Sequence, residues 1–251
     1  MDTNDLLLFF LTFISAFVGI NFGGTMLLIV PLLLSFGYSP LLVLSSTRPA
    51  VMAQSLLGIR MFRKHRDLIR SQEVTLLVSA ALGGLVGTTI LSRLSNEQGI
   101  LLMISILILL VLVSGVKTIL IKSNRLERVR VKEKKSLLVY FLVGLSPAII
   151  GGLVGAGGGP VVVLLALLAL KKSTYATAYL EKFVSLGHSS TVMIWAVFYG
   201  AIDVRLSLIM LSATMIGAYL GAKVTLKLSP YWMYSVIVLL CLALVLKQFF
   251  V

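Results

Sequence analysis

Two hydrophobic segments of this chain are too long for one plain membrane crossing, and each carries a glycine cluster near its middle. Leu6–Phe36 runs 31 residues and Ser136–Leu170 runs 35, and neither holds a charged side chain. As continuous helix they would reach roughly 46 and 52 Å, against a hydrocarbon core of about 30 Å. Such a segment has to tilt, overhang or break. The clusters Gly19–Met26 (GINFGGTM) and Gly151–Pro160 (GGLVGAGGGP) are where a break costs least. Glycine gives up helix stability but lets backbone bend sharply and approach a ligand closely. Both clusters are therefore read as breaks related by symmetry.

Composition sets the class. Apolar residues make up 59% and charged residues 12%, with a mean hydropathy of +1.06. Successive apolar segments of about 20 residues mean an all-α, polytopic integral membrane protein. The longest polar stretch, Ile121–Lys135, is 15 residues, too short to bury a soluble core. In a soluble protein the net charge of +13 would suggest nucleic acid. Here 12 of the 22 Lys and Arg lie in two loops, Arg60–Arg70 and Lys122–Lys135, the pattern of cytoplasmic loops. No nucleic-acid partner is expected. Cys241 is the only cysteine, so neither a disulfide framework nor a metal cluster is expected. The N-terminus, with two acids and no base before its apolar run, does not read as a cleaved signal peptide.

Pro40 is placed to open a helix reaching about Arg60. Further spans are Glu73–Leu91, Gly99–Ile121, Thr174–Phe198, Leu206–Val224 and Tyr231–Phe250. One offset of 134 residues superposes the second half on the first without a gap. It lays Gly23-Gly24 on Gly157-Gly158, Ser55 on Ser189, and Gly83 and Gly87 on Gly217 and Gly221. The chain divides into a first transmembrane repeat (1–121), a basic cytoplasmic linker (122–135) and a second repeat (136–251). If each long segment is a re-entrant helical hairpin, each half adds three transmembrane helices and the repeats are inverted. If each crosses once, the result is 4+4 parallel repeats with eight full spans. The inverted arrangement puts Lys171, Lys172, Lys223 and Lys227 on the cytoplasmic side with the basic loops, and is favoured on that charge distribution.

Two cations lie deep in spans, Arg48 in SSTRPAV and Lys182 in YLEKFVS, and the offset pairs them. A charge at the bilayer centre costs about 2.5–3.5 kcal/mol even on the lenient insertion scale, so it faces a cavity or a partner. For Lys182 the bland alternative is a pair with neighbouring Glu181. Gln54 pairs with His188 and each is followed by serine, Ser55 and Ser189, so a polar stripe runs down two related helices. Glu181 and His188 are the candidates for a coupled proton, although His188 reads equally as a hydrogen-bonded interhelical residue. Half-helices starting after Gly24 and Gly159 would aim free N–H groups and positive dipole ends into mid-membrane, and Pro160 suits such a first turn. Corresponding broken segments in two halves point to a transporter's substrate site. No catalytic constellation or cofactor motif accompanies them, so an enzyme is not expected.

On these residues the chain resembles the sulfite exporter TauE/SafE family of membrane permeases. The resemblance rests on GLVGAGGGPVVVLLALLAL and on GINFGGTMLLIVPLLLSFGYSP, with Pro31 and Pro40, and spans essentially the whole chain as two repeats. The first copy departs from the fuller glycine run, with Asn21-Phe22 before Gly23-Gly24. It implies transport, usually outward, of a small sulfur-containing or organic anion such as sulfite or a sulfonate, across a prokaryotic inner membrane. The expected function is thus a secondary anion transporter, with a passive anion channel, or an embedded enzyme or its assembly partner, as alternatives. The expected ligands are Arg48, Lys182, Gly23, Gly24, Thr25, Gly157, Gly158, Gly159, Gln54, Ser55, His188 and Ser189. The expected partners are a small anion and the lipid bilayer, with a homo-oligomer compatible but not required.

Overall fold

The computed structural model describes residues 3–20, 24–66, 68–122, 136–155, 158–172 and 174–225. Gly23 and Gly157 lie outside the described residues. So do Asp67, positions 123–135 of the linker, and the last expected span with Trp232 and Cys241.

The first long segment is two helices, α1 (Thr3–Gly19) and α2 (Thr25–Ser35), and the second is also two, α7 (Leu137–Val154) and α8 (Gly158–Leu168). Both glycine clusters interrupt the helix. The backbone shows why glycine is needed there. Gly24, which precedes α2, has φ +155°, and Gly155, which ends α7, has φ +74°. Side chains with a Cβ rarely adopt either conformation. After each break the chain comes back against the helix it left. The Ser15 hydroxyl donates to the Thr25 carbonyl at 2.5 Å, and Gly158 packs on the Pro147 carbonyl.

The helix expected from Pro40 is itself divided, into α3 (Pro40–Ser46) and α4 (Arg48–Phe62). Pro49 has no N–H to continue the ladder and its ring crowds the preceding turn. The Thr47 N–H donates to the Ser45 carbonyl, the acceptor Pro49 cannot serve, and the Thr47 hydroxyl lies 3.0 and 2.8 Å from the Val43 and Leu44 carbonyls. The equivalent place in the second half carries Phe183 in place of proline, and α9 (Thr174–Phe198) is continuous. A short 3-10 turn, Arg63–His65, leads to α5 (Arg70–Ser92). α6 (Asn96–Lys122) opens with reciprocal bonds between Ser95 and Gln98, a capping box. α10 (Val204–Thr225) starts at Asp203, whose carboxylate accepts from Leu206 N–H at 3.0 Å. Asp203 thus caps a helix, and neighbouring Arg205 pairs with Asp5 at the start of α1.

Helix contacts cross between the halves. α5 runs alongside α7 in the same direction, with Gly83 against the Leu145 carbonyl and Gly87 against Ile149 and Gly152. α1 and α10 repeat the arrangement, with Gly217 against the Phe13 carbonyl and Gly221 against that of Phe17. Each Gly-xxx-Gly face therefore lets one half close onto the broken segment of the other. α9 also runs parallel to α5: Tyr179 Oη donates to Glu73 at 2.9 Å near their starts, and Gly84 backs onto His188 further along. α4 runs antiparallel to α9, Arg48 meeting His188 and Gly58 meeting Lys182.

The exterior of these helices is apolar and the interior holds the charges. Val74, Val78, Leu82, Leu85, Val86 and Ile90 of α5 are exposed, whereas Arg48, Glu181, Lys182 and His188 are buried. Water would reverse that distribution, and lipid accounts for it. Among the described residues, Arg70–Ser92, Leu137–Val154 and Val204–Val224 are long and apolar enough to cross a membrane, and shorter apolar helices accompany them.

A Cβ at Gly87 or Gly221 would collide with facing backbone that cannot move aside. Gly87→Ala and Gly221→Ala are each expected to destabilise the protein by about 1–3 kcal/mol. Leu82→Ala, on the exposed face, should change little. Thermal melting in detergent checks this, and unchanged melting of both glycine variants would contradict the packing.

Candidate anion site

The breaks, α4 and α9 enclose a cavity of about 40 Å³. One water needs roughly 10–15 Å³, so the space suits a few waters or one small ion. Gly24, Thr25 and Met26 bring the start of α2 to its wall, and Gly158 and Gly159 bring the start of α8. First-turn N–H groups lack an intrahelical acceptor, and two helix starts on one cavity give it positive polarity. Pro160 occupies the first turn of α8, where its missing N–H leaves no gap in the ladder. α4 contributes Val51, Gln54 and Ser55, while α9 contributes Glu181, Lys182, Ser185 and His188.

Lys182 is the cation in this wall, and a carboxylate meets it there. Its Nζ lies 2.6 Å from Glu181 Oε2, with each side chain only 3% exposed. Glu181 Oε1 accepts the Ser185 hydroxyl at 2.5 Å, while Oε2 makes no hydrogen bond beyond the ion contact. Gly58 of α4 leaves room for the lysine stem, since a Cβ there would come within 3.0 Å of Lys182 methylenes. The cavity wall thus carries a compensated charge pair.

Arg48 takes a different position from Lys182, its mate in the other half. It is fully buried but does not line the cavity. Its Nε donates to the Leu44 carbonyl at 2.8 Å. Nη2 donates to Thr47 Oγ1 at 2.8 Å and to the Gly155 carbonyl at 2.6 Å. Nη1 lies 3.2 Å from His188 Nε2. The guanidinium therefore ties α4 to the residue that ends α7 and to α9.

That network assigns the histidine tautomer. His188 Nδ1 sits 2.9 Å from the Val184 carbonyl, which can only accept, so Nδ1 carries the proton and Nε2 is the bare acceptor facing Arg48. The ring rests on Gly151, where a Cβ would come to about 3.0 Å from it. Ser189 is buried outside the cavity with its Oγ 3.4 Å from the same Nε2. Gln54 Nε2 donates to Thr25 Oγ1 at 2.8 Å, linking α4 to the start of α2, and Ser55 donates to the Val51 carbonyl at 2.7 Å.

The structure thus gathers Gly24, Thr25, Gln54, Ser55, Gly158, Gly159, Glu181, Lys182 and His188 around one cavity and sets Arg48 and Ser189 behind it. Sequence reasoning passed over Ser185, Gly155, Val51 and Met26. Ser185 had a legible signal, one helical turn from Glu181 on the face that continues to His188. No group of three His, Cys, Asp or Glu capable of holding a metal occurs among the described residues.

A comparison with protein families matches residues 7–248 to Sulfite exporter TauE/SafE. The chain belongs to this family. The TauE/SafE family is one of membrane transporters, not enzymes, and its assignment together with the apolar helices makes this a multi-pass membrane protein. Comparison with curated proteins and with solved structures finds no match.

Four hydrogen bonds of Arg48 leave one planar guanidinium for acceptors on α3, the α3–α4 junction, α9 and the end of α7. A lysine carries one point charge and cannot span them. Each buried group left without a partner costs about 1–3 kcal/mol. Arg48→Lys should therefore lower the melting temperature clearly, whereas Arg93→Lys, at an exposed helix end, should not. Equal melting of wild type and Arg48→Lys would remove Arg48 from this role.

Proposed function

We propose that the chain is a secondary transporter, working as an exporter, of a small sulfur-containing oxyanion or organosulfonate such as sulfite. The anion binds between two inverted repeats. The observation that carries this reading is the convergence of two helix starts and the Lys182 ammonium on one small polar cavity. Membership of the TauE/SafE family supports the substrate class. Lys182 would supply the charge that meets the anion, Gly24, Thr25, Gly158 and Gly159 backbone donors, and Gln54, Ser55 and His188 hydrogen bonds. Gly23 and Gly157 belong to the same breaks in sequence. Arg48 would add positive field from behind the wall while holding the breaks in place, with Ser189 beside it.

The helix directions support inversion. α5 and α9 are parallel, α4 and α9 antiparallel, and α10 starts beside Asp5 of α1, at the opposite end from the start of α5. On these contacts each broken pair begins and ends on one side of the bundle, the first on the side of Asp5 and the second on that of Arg70. Lys171, Lys172 and Lys223 then fall with the Arg60–Arg70 loop, and Arg205 on the other side. That is the charge asymmetry expected of a prokaryotic inner-membrane protein with its basic loops in the cytoplasm.

Removing Lys182 alone would strand Glu181, so the informative variant neutralises both. Lys182→Met with Glu181→Gln should remain folded, yet its sulfite flux in proteoliposomes should fall to that of protein-free vesicles. Wild-type flux should saturate with sulfite concentration. Undiminished flux in the double variant would exclude this cavity, and non-saturating flux with single-channel currents would make the protein a pore.

A further inference from the structure

Glu181 holds the place an arriving anion needs. Its Oε2 lies 2.6 Å from Lys182 Nζ inside the cavity, and no other cationic side chain lines that wall among the described residues. An anion entering beside this pair would set two negative charges against one ammonium, between side chains that are each only 3% exposed. Buried charge is tolerated when it is paired and hydrogen-bonded. The remedy with least rearrangement is a proton on Glu181, which turns a competing carboxylate into a neutral group.

The surroundings suit both states of that carboxyl. Ser185 Oγ donates to Oε1 when Glu181 is ionised, and a hydroxyl can equally accept from a carboxylic acid. Oε2, bonded only through the ion contact, is the oxygen left to take the proton once the ammonium turns to the anion. The other titratable group in the wall is less suited. His188 donates through Nδ1 to Val184, and a proton on Nε2 would point at the Arg48 guanidinium.

Other charges on the elements packed against α9 are already engaged or lie at the bundle end. On α4, Arg48 is spent on protein acceptors and Arg60 is exposed. On α5, Glu73 is held by Arg66 and by Tyr179, whose hydroxyl also titrates, while Arg70 is exposed. Arg63 and Lys64 of the 3-10 turn are exposed, and His65 shares that turn. On α7, Tyr140 is buried, and α3 and α8 carry no titratable side chain.

Resting on the reading of this cavity as the anion site, we propose that Glu181 is an internal counter-anion for Lys182 that the substrate displaces, so that each anion binds together with one proton taken up by Glu181. Transport of a monovalent anion is then electroneutral, with its direction set by the anion and proton gradients together. The coupling is reciprocal: protonation favours anion binding as much as the anion favours protonation.

Methanesulfonate is a suitable probe because it stays ionised across the working pH range, so any proton change belongs to the protein. Titration calorimetry of the purified full chain in buffers of differing ionisation enthalpy counts the protons taken up. Wild type should take up close to one proton per anion above neutral pH, with affinity falling about tenfold per pH unit there. Glu181→Gln should bind methanesulfonate with no proton uptake and no pH dependence over the same range. Wild-type binding without proton uptake overturns the proposal, and so does full uptake by Glu181→Gln. If that variant does not purify as a single species, His188→Gln decides the assignment. Retained uptake supports Glu181, and lost uptake overturns it. Absence of binding by wild type to methanesulfonate, sulfite and thiosulfate alike is a separate result, which sinks the anion-site reading itself.

Discussion

A helix broken inside a bilayer leaves backbone N–H and carbonyl groups that lipid cannot satisfy, so a break persists only where protein encloses it. Among the described residues the two glycine clusters make such breaks and the α3–α4 junction adds a third, and much of the interior is arranged around them. Arg48 reaches the carbonyl of Gly155, the residue that ends α7, and spends its other donors on Leu44, Thr47 and His188. Ser15 and Gln54 secure Thr25 at the start of α2. The glycine faces of α5 and α10 then bring each half close against the broken segment of the other. Helix starts aimed into the interior supply polarity that a continuous helix would have kept at its ends.

The two in-span cations divide the work unequally. In sequence Arg48 and Lys182 are mates, but Pro49 follows the first and Phe183 the second. The helix is interrupted at Thr47 beside this proline, and the guanidinium folds back onto the Leu44 carbonyl. The second helix stays continuous, and its lysine reaches the cavity with Glu181 beside it. A fork of five fixed donors suits the structural position, and a flexible point charge suits a site where partners exchange. One proline thus accompanies the difference in where the two cations lie.

Much of this was legible in the residues, because lipid simplifies the rules. Segment length against bilayer thickness located both glycine interruptions, glycine spacing located the close helix contacts, and the 134-residue offset paired Gln54 with His188 and Gly24 with Gly158. The rest was hidden for physical reasons. An arginine in a span announces that it needs partners, but those it found are backbone carbonyls, which every residue possesses and no pattern marks. Pro49 signalled a kink beside Arg48, yet its effect on that side chain depends on where α7 ends in space. Val51, Met26 and Gly155 line the cavity through proximity alone. Glu181 beside Lys182 was visible as a neighbouring pair, whereas its position in the cavity wall required the fold.

The central claim is that both helix starts and Lys182 address a single anion. Anomalous diffraction from crystals soaked with selenite, a heavier analogue of sulfite, tests it most directly. The account predicts one dominant selenium peak in the cavity, within hydrogen-bonding reach of Lys182 Nζ and of first-turn N–H groups from both α2 and α8. Selenium found only along the exposed basic loops, with that cavity holding none, would contradict it.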